Sequence, residues 1–254
     1  TRRSSDLSAI LTHIPVTTTP LSPDPNASTR EKFAGMLNYA DHLVGRIVAA
    51  LDDLGLRDNT IVFIATDNGT DTGSDQGMAE SLGGMRHGRI SDEGIYSLTE
   101  RGINMPLIVN CPKWIPKGGE SDALLNAADI LPTLADLAKA SLPQGVTIDG
   151  ESFANVLRQS SDESWSRPWT FTQYADTRVV RDLRYKLYSS GELYDLASDP
   201  LEQNPIPPRG ERFLASDRKA QLRAVLNALP ENATWPWTFR SISARKERIV
   251  RDAP

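Results

Sequence analysis

Asp67, Asn68 and Gly69 stand together directly behind the apolar run TIVFIAT. A carboxylate and an amide carbonyl are both hard oxygen donors, suited to calcium or magnesium and poorly suited to zinc or copper. In an open α/β sheet, ligands bind at the carboxyl ends of the strands, which is where this tripeptide falls. The same residues also form a strong tight-turn signal, because Asn-Gly favours the backbone conformations a turn requires. Two ligands leave a calcium sphere of about six to eight oxygens incomplete, so other donors are needed; Asp71 and Asp75 are local candidates. Three histidines offer proton chemistry. His13, in LTHIP, sits at the mouth of a proline-rich stretch and could donate to an anionic substrate. His87, in MRHGR, lies between Arg86 and Arg89, a set that could clamp an oxyanion or simply be solvated. His42, between Asp41 and Leu43 on an amphipathic pattern, reads as a solvated or core-edge side chain.

The surrounding elements must place these groups. Residues 14–27, IPVTTTPLSPDPNA, hold four prolines and predict an extended loop. A helix is predicted after it. Ser28 and Glu31 have capping-box spacing, and Phe33, Met36, Leu37, Ala40, Leu43, Val44, Ile47, Val48 and Leu51 recur at steps of three and four, which predicts one buried face. Gly55 falls where a C-cap is needed. TIVFIAT (60–66) and PLIVNC (106–111) are short apolar runs without clear polar alternation, the pattern of buried strands in a parallel sheet. Between them, residues 70–101 are Gly-rich, polar and too long for an ordinary connector. Residues 129–140 read as a helix with Asp129 as its N-cap and Pro132 in the first turn. Beyond about residue 165 the pattern becomes β-rich, with a hairpin turn at Ser189, Ser190 and Gly191. A last amphipathic helix is signalled by Ser216, Leu222, Val225, Leu226 and Leu229, and Trp235 and Trp237 read as core.

Composition narrows the options. The 254 residues are 39% hydrophobic and 24% charged, which excludes disordered and fibrous classes. A net charge of -5 gives no polyanion-binding field, so nucleic acid is not expected as a partner. The single Cys111 excludes an intrachain disulfide framework and a multi-thiolate zinc site. No apolar run approaches the roughly 18 to 20 residues of a membrane span, and the polar start TRRSSDLSA has no signal-peptide apolar core.

The order HIP, proline-rich loop, NYADHLVGRIVAALDDLGLRDNTIVFIATDNG, ERGINMPLIVNCP, AADILPTLADLA, IDGESF and RYKLYSSGELYDLASDPLEQN resembles the second half of a type I sulfatase, from about residue 11 to 204. The resemblance implies an α/β fold: part of an alkaline-phosphatase-like, parallel-centred sheet flanked by helices, followed by a small antiparallel α+β subdomain. The expected division is 1–160 for the C-terminal part of the sulfatase α/β domain and 161–254 for the small subdomain with its terminal helix. It further implies that Asp67 and Asn68 are ligands of an active-site calcium, or magnesium, and that His13 contacts the sulfate near the leaving oxygen. The implied substrate is a sulfate monoester of a carbohydrate or aryl group, and the implied location is periplasmic or extracellular.

Three departures qualify the resemblance. The family's nucleophile is a formylglycine made from Cys or Ser in C/S-x-P-x-R, and no stretch here fits: Cys111 is followed directly by Pro112, and Ser141-Leu142-Pro143 continues Gln144-Gly145 without the arginine. Both read as structural. The family's early aspartate pair, which completes the metal site, belongs to a portion that would precede Thr1. Where relatives carry a sulfate-binding lysine in G-K-G, this chain has Gly94-Ile95-Tyr96, leaving Arg86, His87 or Arg89 as replacements. The expectation is therefore a sulfatase portion, inactive alone, that needs a missing N-terminal half as partner. A phosphatase or phosphodiesterase of the same superfamily would need two metal sites rich in His and Asp, which three histidines do not favour. A degenerate relative that binds an anion or a partner without catalysis is the remaining alternative.

Overall fold

The computed structural model describes residues 11–13, 15–67, 69, 98–115, 118–159, 165, 167–174, 177–207 and 213–229. The expectations for Asn68, Asp71, Asp75, Arg86, His87, Arg89, Ile95, Trp235 and Trp237 lie outside these residues. Among the described residues, no helix is long and apolar enough to cross a membrane.

Helix α1 (Thr29–Asp53) starts as its sequence requires. The Ser28 side chain accepts the Glu31 N–H, and the Glu31 carboxylate accepts the Ser28 N–H at 2.8 Å, a complete capping box. The helix ends in a Schellman arrangement: the Leu56 N–H reaches the Leu51 carbonyl, the Gly55 N–H reaches the Asp52 carbonyl, and Gly55 takes a φ of 64°. The predicted buried face is only partly realised. Gly35 and Met36 are buried, whereas Leu37 and Ile47 are exposed. The main described neighbour of α1 is the 3-10 turn Arg57–Asn59, which leaves much of the apolar stripe without a covering element among the described residues.

Strand β1 (Val62–Ala65) pairs with β2 (Leu107–Asn110), and the single turn α2 (Glu100–Ile103) precedes β2. The α/β class stands, but these two strands run antiparallel, with Val62 opposite Asn110 and Ala65 opposite Leu107. Apolar content says that a strand will form and does not fix its direction; the long connection between β1 and β2 allows either sense. Nor is β2 the buried run expected. Its residues alternate between half-buried and exposed, and Ile108 is 57% exposed.

Next come a 3-10 turn (Ala127–Asp129), α3 (Ile130–Ala138) and α4 (Ala154–Gln159). Asp129 is not the side-chain cap predicted for α3. Asn126 caps the 3-10 turn by accepting the Ala128 N–H, and the Asp129 carboxylate turns back to accept the Asn126 N–H at 2.6 Å. Asp129 is fully buried, also accepts the Glu151 N–H at 2.8 Å, and is paired with Arg167. A capping aspartate one residue before a helix faces solvent by default; this one is drawn inward because three donors converge on it. The Thr133 hydroxyl donates to the Asp129 carbonyl and accepts the Phe153 N–H, fastening α3 to α4. Gly150 permits this closeness, since a Cβ there would lie 2.0 Å from the Ala128 carbonyl oxygen.

Four antiparallel strands follow in sequential order: β3 (Thr170–Tyr174), β4 (Thr177–Arg181), β5 (Tyr185–Tyr188) and β6 (Leu193–Asp195). The predicted hairpin joins β5 to β6, and Gly191 supplies the φ of 103° that its turn demands. Helix α5 (Phe213–Ala228) begins three residues ahead of Ser216 and lays Leu222 and Leu226 on the sheet. Val180, Leu187, Leu193, Leu222 and Leu226 form the best-closed apolar core among the described residues, each burial worth about 1.5 to 3 kcal/mol.

Candidate functional site

Asp67 follows β1 by two residues and is exposed at its carboxyl end, as the strand-end rule anticipates. It opens on a cleft of about 1660 Å³ between β2, the 118–127 segment and the first strands of the small sheet. Glu100, Gly102, Asn104 and Asn126 line the same cleft, together with Arg181 from β4. The corner after Asp67 is tied to α2, because the Gly69 N–H donates to the Gly102 carbonyl at 3.0 Å. The turn is itself closed by local bonds, Gly102 N–H to the Thr99 carbonyl at 2.8 Å and Asn104 N–H to the Glu100 carbonyl at 2.8 Å.

Of the site residues predicted from sequence, His13 and Asp67 are the two described. His13 is exposed in the stretch before the Thr19–Ser22 bridge and is not among the described residues lining the cleft. His42 is exposed on α1 and stacks on Tyr39, with ring centroids 6.1 Å apart, in keeping with a role outside any site. Cys111 is buried, its Sγ 3.8 Å from the Asp58 carbonyl, a packing role. Among the described residues no three His, Cys, Asp or Glu side chains are grouped to hold a metal ion.

The sequence reading missed Glu100 and Arg181, the charged pair of the cleft. Glu100 is buried and paired with both Arg181 and Lys186, so a carboxylate is present without leaving uncompensated negative charge. A signal did exist: Lys186 interrupts the strand YKLY between Tyr185 and Leu187, and a lysine fully buried in a strand requires a carboxylate partner.

The sulfatase family model matches residues 9–140, and a second model, N-sulphoglucosamine sulphohydrolase, C-terminal, matches residues 95–227. This chain belongs to the sulfatase family. It is 37% identical to steryl-sulfatase of Rattus norvegicus, a match that covers 81% of this chain and 44% of the relative. It is 29% identical to N-acetylgalactosamine-6-O-sulfatase of Bacteroides thetaiotaomicron, over 65% of this chain and 36% of that protein. The solved structure of a 2-O GAG sulfatase superposes with a TM-score of 0.56 at 27% identity, covering 78% of this chain and 41% of that one. The fold is thus that of the alkaline-phosphatase-like sulfatases. The chain spans less than half the length of these relatives.

Proposed function

We propose that this chain is the C-terminal part of a sulfuric ester hydrolase in which Asp67 and Asn68 hold a calcium ion and His13 serves the leaving oxygen. The observation that carries the reading is the position of Asp67, an exposed carboxylate at the carboxyl end of β1 that opens on the cleft. Its hard oxygen donors suit calcium or magnesium, and the metal's remaining ligands would come from the N-terminal half of the enzyme. That half would also bring the formylglycine, since no stretch of this chain fits C/S-x-P-x-R. A bound calcium supplies charge neutralisation at the sulfate oxygens. His13 gives a hydrogen bond or a proton to the departing alkoxide, and Arg86, His87 and Arg89 are the groups available to bind the anion where Ile95 replaces lysine. Two of the relatives act, by name, on 6-O-sulfated N-acetylgalactosamine and on 2-O-sulfated GAG, which supports a sulfated carbohydrate as substrate beside an aryl ester. The family reading carries with it an exported location, and this portion is expected to be inert by itself because no stretch of it fits C/S-x-P-x-R.

The test is sulfate release by the protein expressed from its full reading frame, with a panel of 2-O- and 6-O-sulfated sugars and an aryl sulfate, in calcium and in chelator. Release in calcium is expected, and Asp67→Asn should lower kcat/KM at least about 100-fold, the usual scale for losing an electrostatic contributor. Sulfate binding without turnover of any ester would overturn hydrolysis in favour of a degenerate anion-binding relative.

A further inference from the structure

The geometry points to a buried charge cluster, Lys186 with Glu100 and Glu202, as the positioning device that holds the Asp67–Gly69 corner in place from the small sheet. The Lys186 ammonium, fully buried on β5, donates to Glu100 Oε1 at 3.1 Å and to Glu202 Oε1 at 2.9 Å. The second Glu100 oxygen is held by Arg181, and the second Glu202 oxygen accepts the Tyr188 hydroxyl. Two cations therefore face two anions. Tyr188 remains a neutral donor because burial, followed by the charge of Glu202, holds its phenol far above the usual range.

Two features mark the cluster as more than packing. Glu202 also accepts the backbone N–H of Glu100 at 2.7 Å, so it grips the first residue of α2 by its main chain while Lys186 holds the same residue's side chain. Glu202 does so with a φ of 54°, a left-handed conformation that a non-glycine residue holds only when its surroundings dictate it. The grip reaches the site in one further step: two residues along α2, the Gly102 carbonyl accepts the Gly69 N–H at 3.0 Å, and Asp67 lies two residues before Gly69. Lys186, Glu202 and Tyr188 are not themselves among the described residues lining the cleft; they act through Glu100 and the rest of α2. The small sheet is thereby coupled to the strand-end corner. This inference rests on the proposed role of Asp67 for its functional meaning, but its physical content, the hold on the Gly69 amide, is read independently of any ligand.

Hydrogen exchange followed by NMR on the protein from its full reading frame tests it. Lys186→Met should speed exchange of the Gly69 amide about tenfold or more, while the amides of the β1–β2 ladder stay within about twofold of the parent, because only local opening is changed. Glu202→Gln, which preserves shape, should give the same selective change if Lys186→Met does not fold. In parallel, calcium affinity measured by calorimetry should fall in these variants, and Glu202→Asp should recover part of the loss. Unchanged Gly69 exchange, or a uniform rise across β1, β2 and Gly69 alike, would overturn the positioning role. Selective loss of Gly69 protection in a protein whose calcium binding ignores Asp67→Asn would keep the clamp and remove the metal reading, so the two failures are told apart.

Discussion

The small sheet with α5 and the β1–β2 pair with α1 use similar apolar residues to very different effect. In the first, Leu187 and Leu193 are fully buried, and a helix closes the sheet over them. In the second, Ile108, Leu37 and Ile47 carry exposed surface among the described residues, and no strand residue of β1 is fully buried. Among the described residues, the difference lies in the number of covered faces. A strand flanked by a partner on each side and a helix above it gains its full transfer free energy, whereas a strand in a two-stranded ribbon keeps one face open. The candidate site residues follow the same division: Asp67 sits in the open region, and Lys186, at the centre of the charge cluster proposed to steady its corner, is buried in the closed one.

The joint between the 126–129 turn and the small sheet offers the largest expected effect. Asn126 donates to the Phe171 carbonyl of β3 at 2.9 Å, and Asp129 draws Arg167 inward beside it. Asp129→Ala should cost about 3 to 5 kcal/mol in urea denaturation, because it strands a buried guanidinium without its counter-charge. A loss below about 1 kcal/mol would show that the joint does not fasten that turn to the small sheet. Next, Leu193→Ala should cost about 2 to 5 kcal/mol and Ile108→Ala within about 1 kcal/mol in the same assay, a direct measure of closed against open. Equal losses would break the comparison. In the open region, Ser28→Ala removes the capping box and should lower stability by about 1 kcal/mol, read by the helical circular dichroism melt.

The smallest effect is in acid. A hydrogen bond from Arg184, and then the same residue's charge, hold the Asp195 carboxyl below its usual range. A depressed carboxylate contributes stability that is fully present above its ordinary value of about 3.9 and is lost as pH falls through the folded value. Asp195→Asn should therefore flatten part of the fall in Tm below about pH 4, by little, since the Arg184 side chain is largely exposed. A variant with an unchanged acid limb would show that the pair contributes nothing to the closed region.

What could be read in the chain and what could not divide along the range of the interactions. The capping box of Ser28 and Glu31, the Gly55 cap, the Gly191 hairpin and the apolar face of α5 are local: each is set by residues within a few positions, so spacing alone specifies it. The carboxylate at a strand end was legible too, because an apolar run followed by Asp-Asn-Gly defines both the strand and its exit. The antiparallel sense of β1 and β2 was not, since two strands and a long connection are compatible with either direction. The inward turn of Asp129 was hidden because Arg167 is 38 positions away. The meeting of Glu100 with Lys186, 86 positions apart, was hidden for the same reason. Sequence by itself settled where α1 begins and ends, where the Gly191 turn falls and which residue types could take part in the chemistry. Only the tertiary structure decided which charges are buried together, because a buried ion pair exists by virtue of folding that removes water from both partners at once, and no local pattern encodes that event.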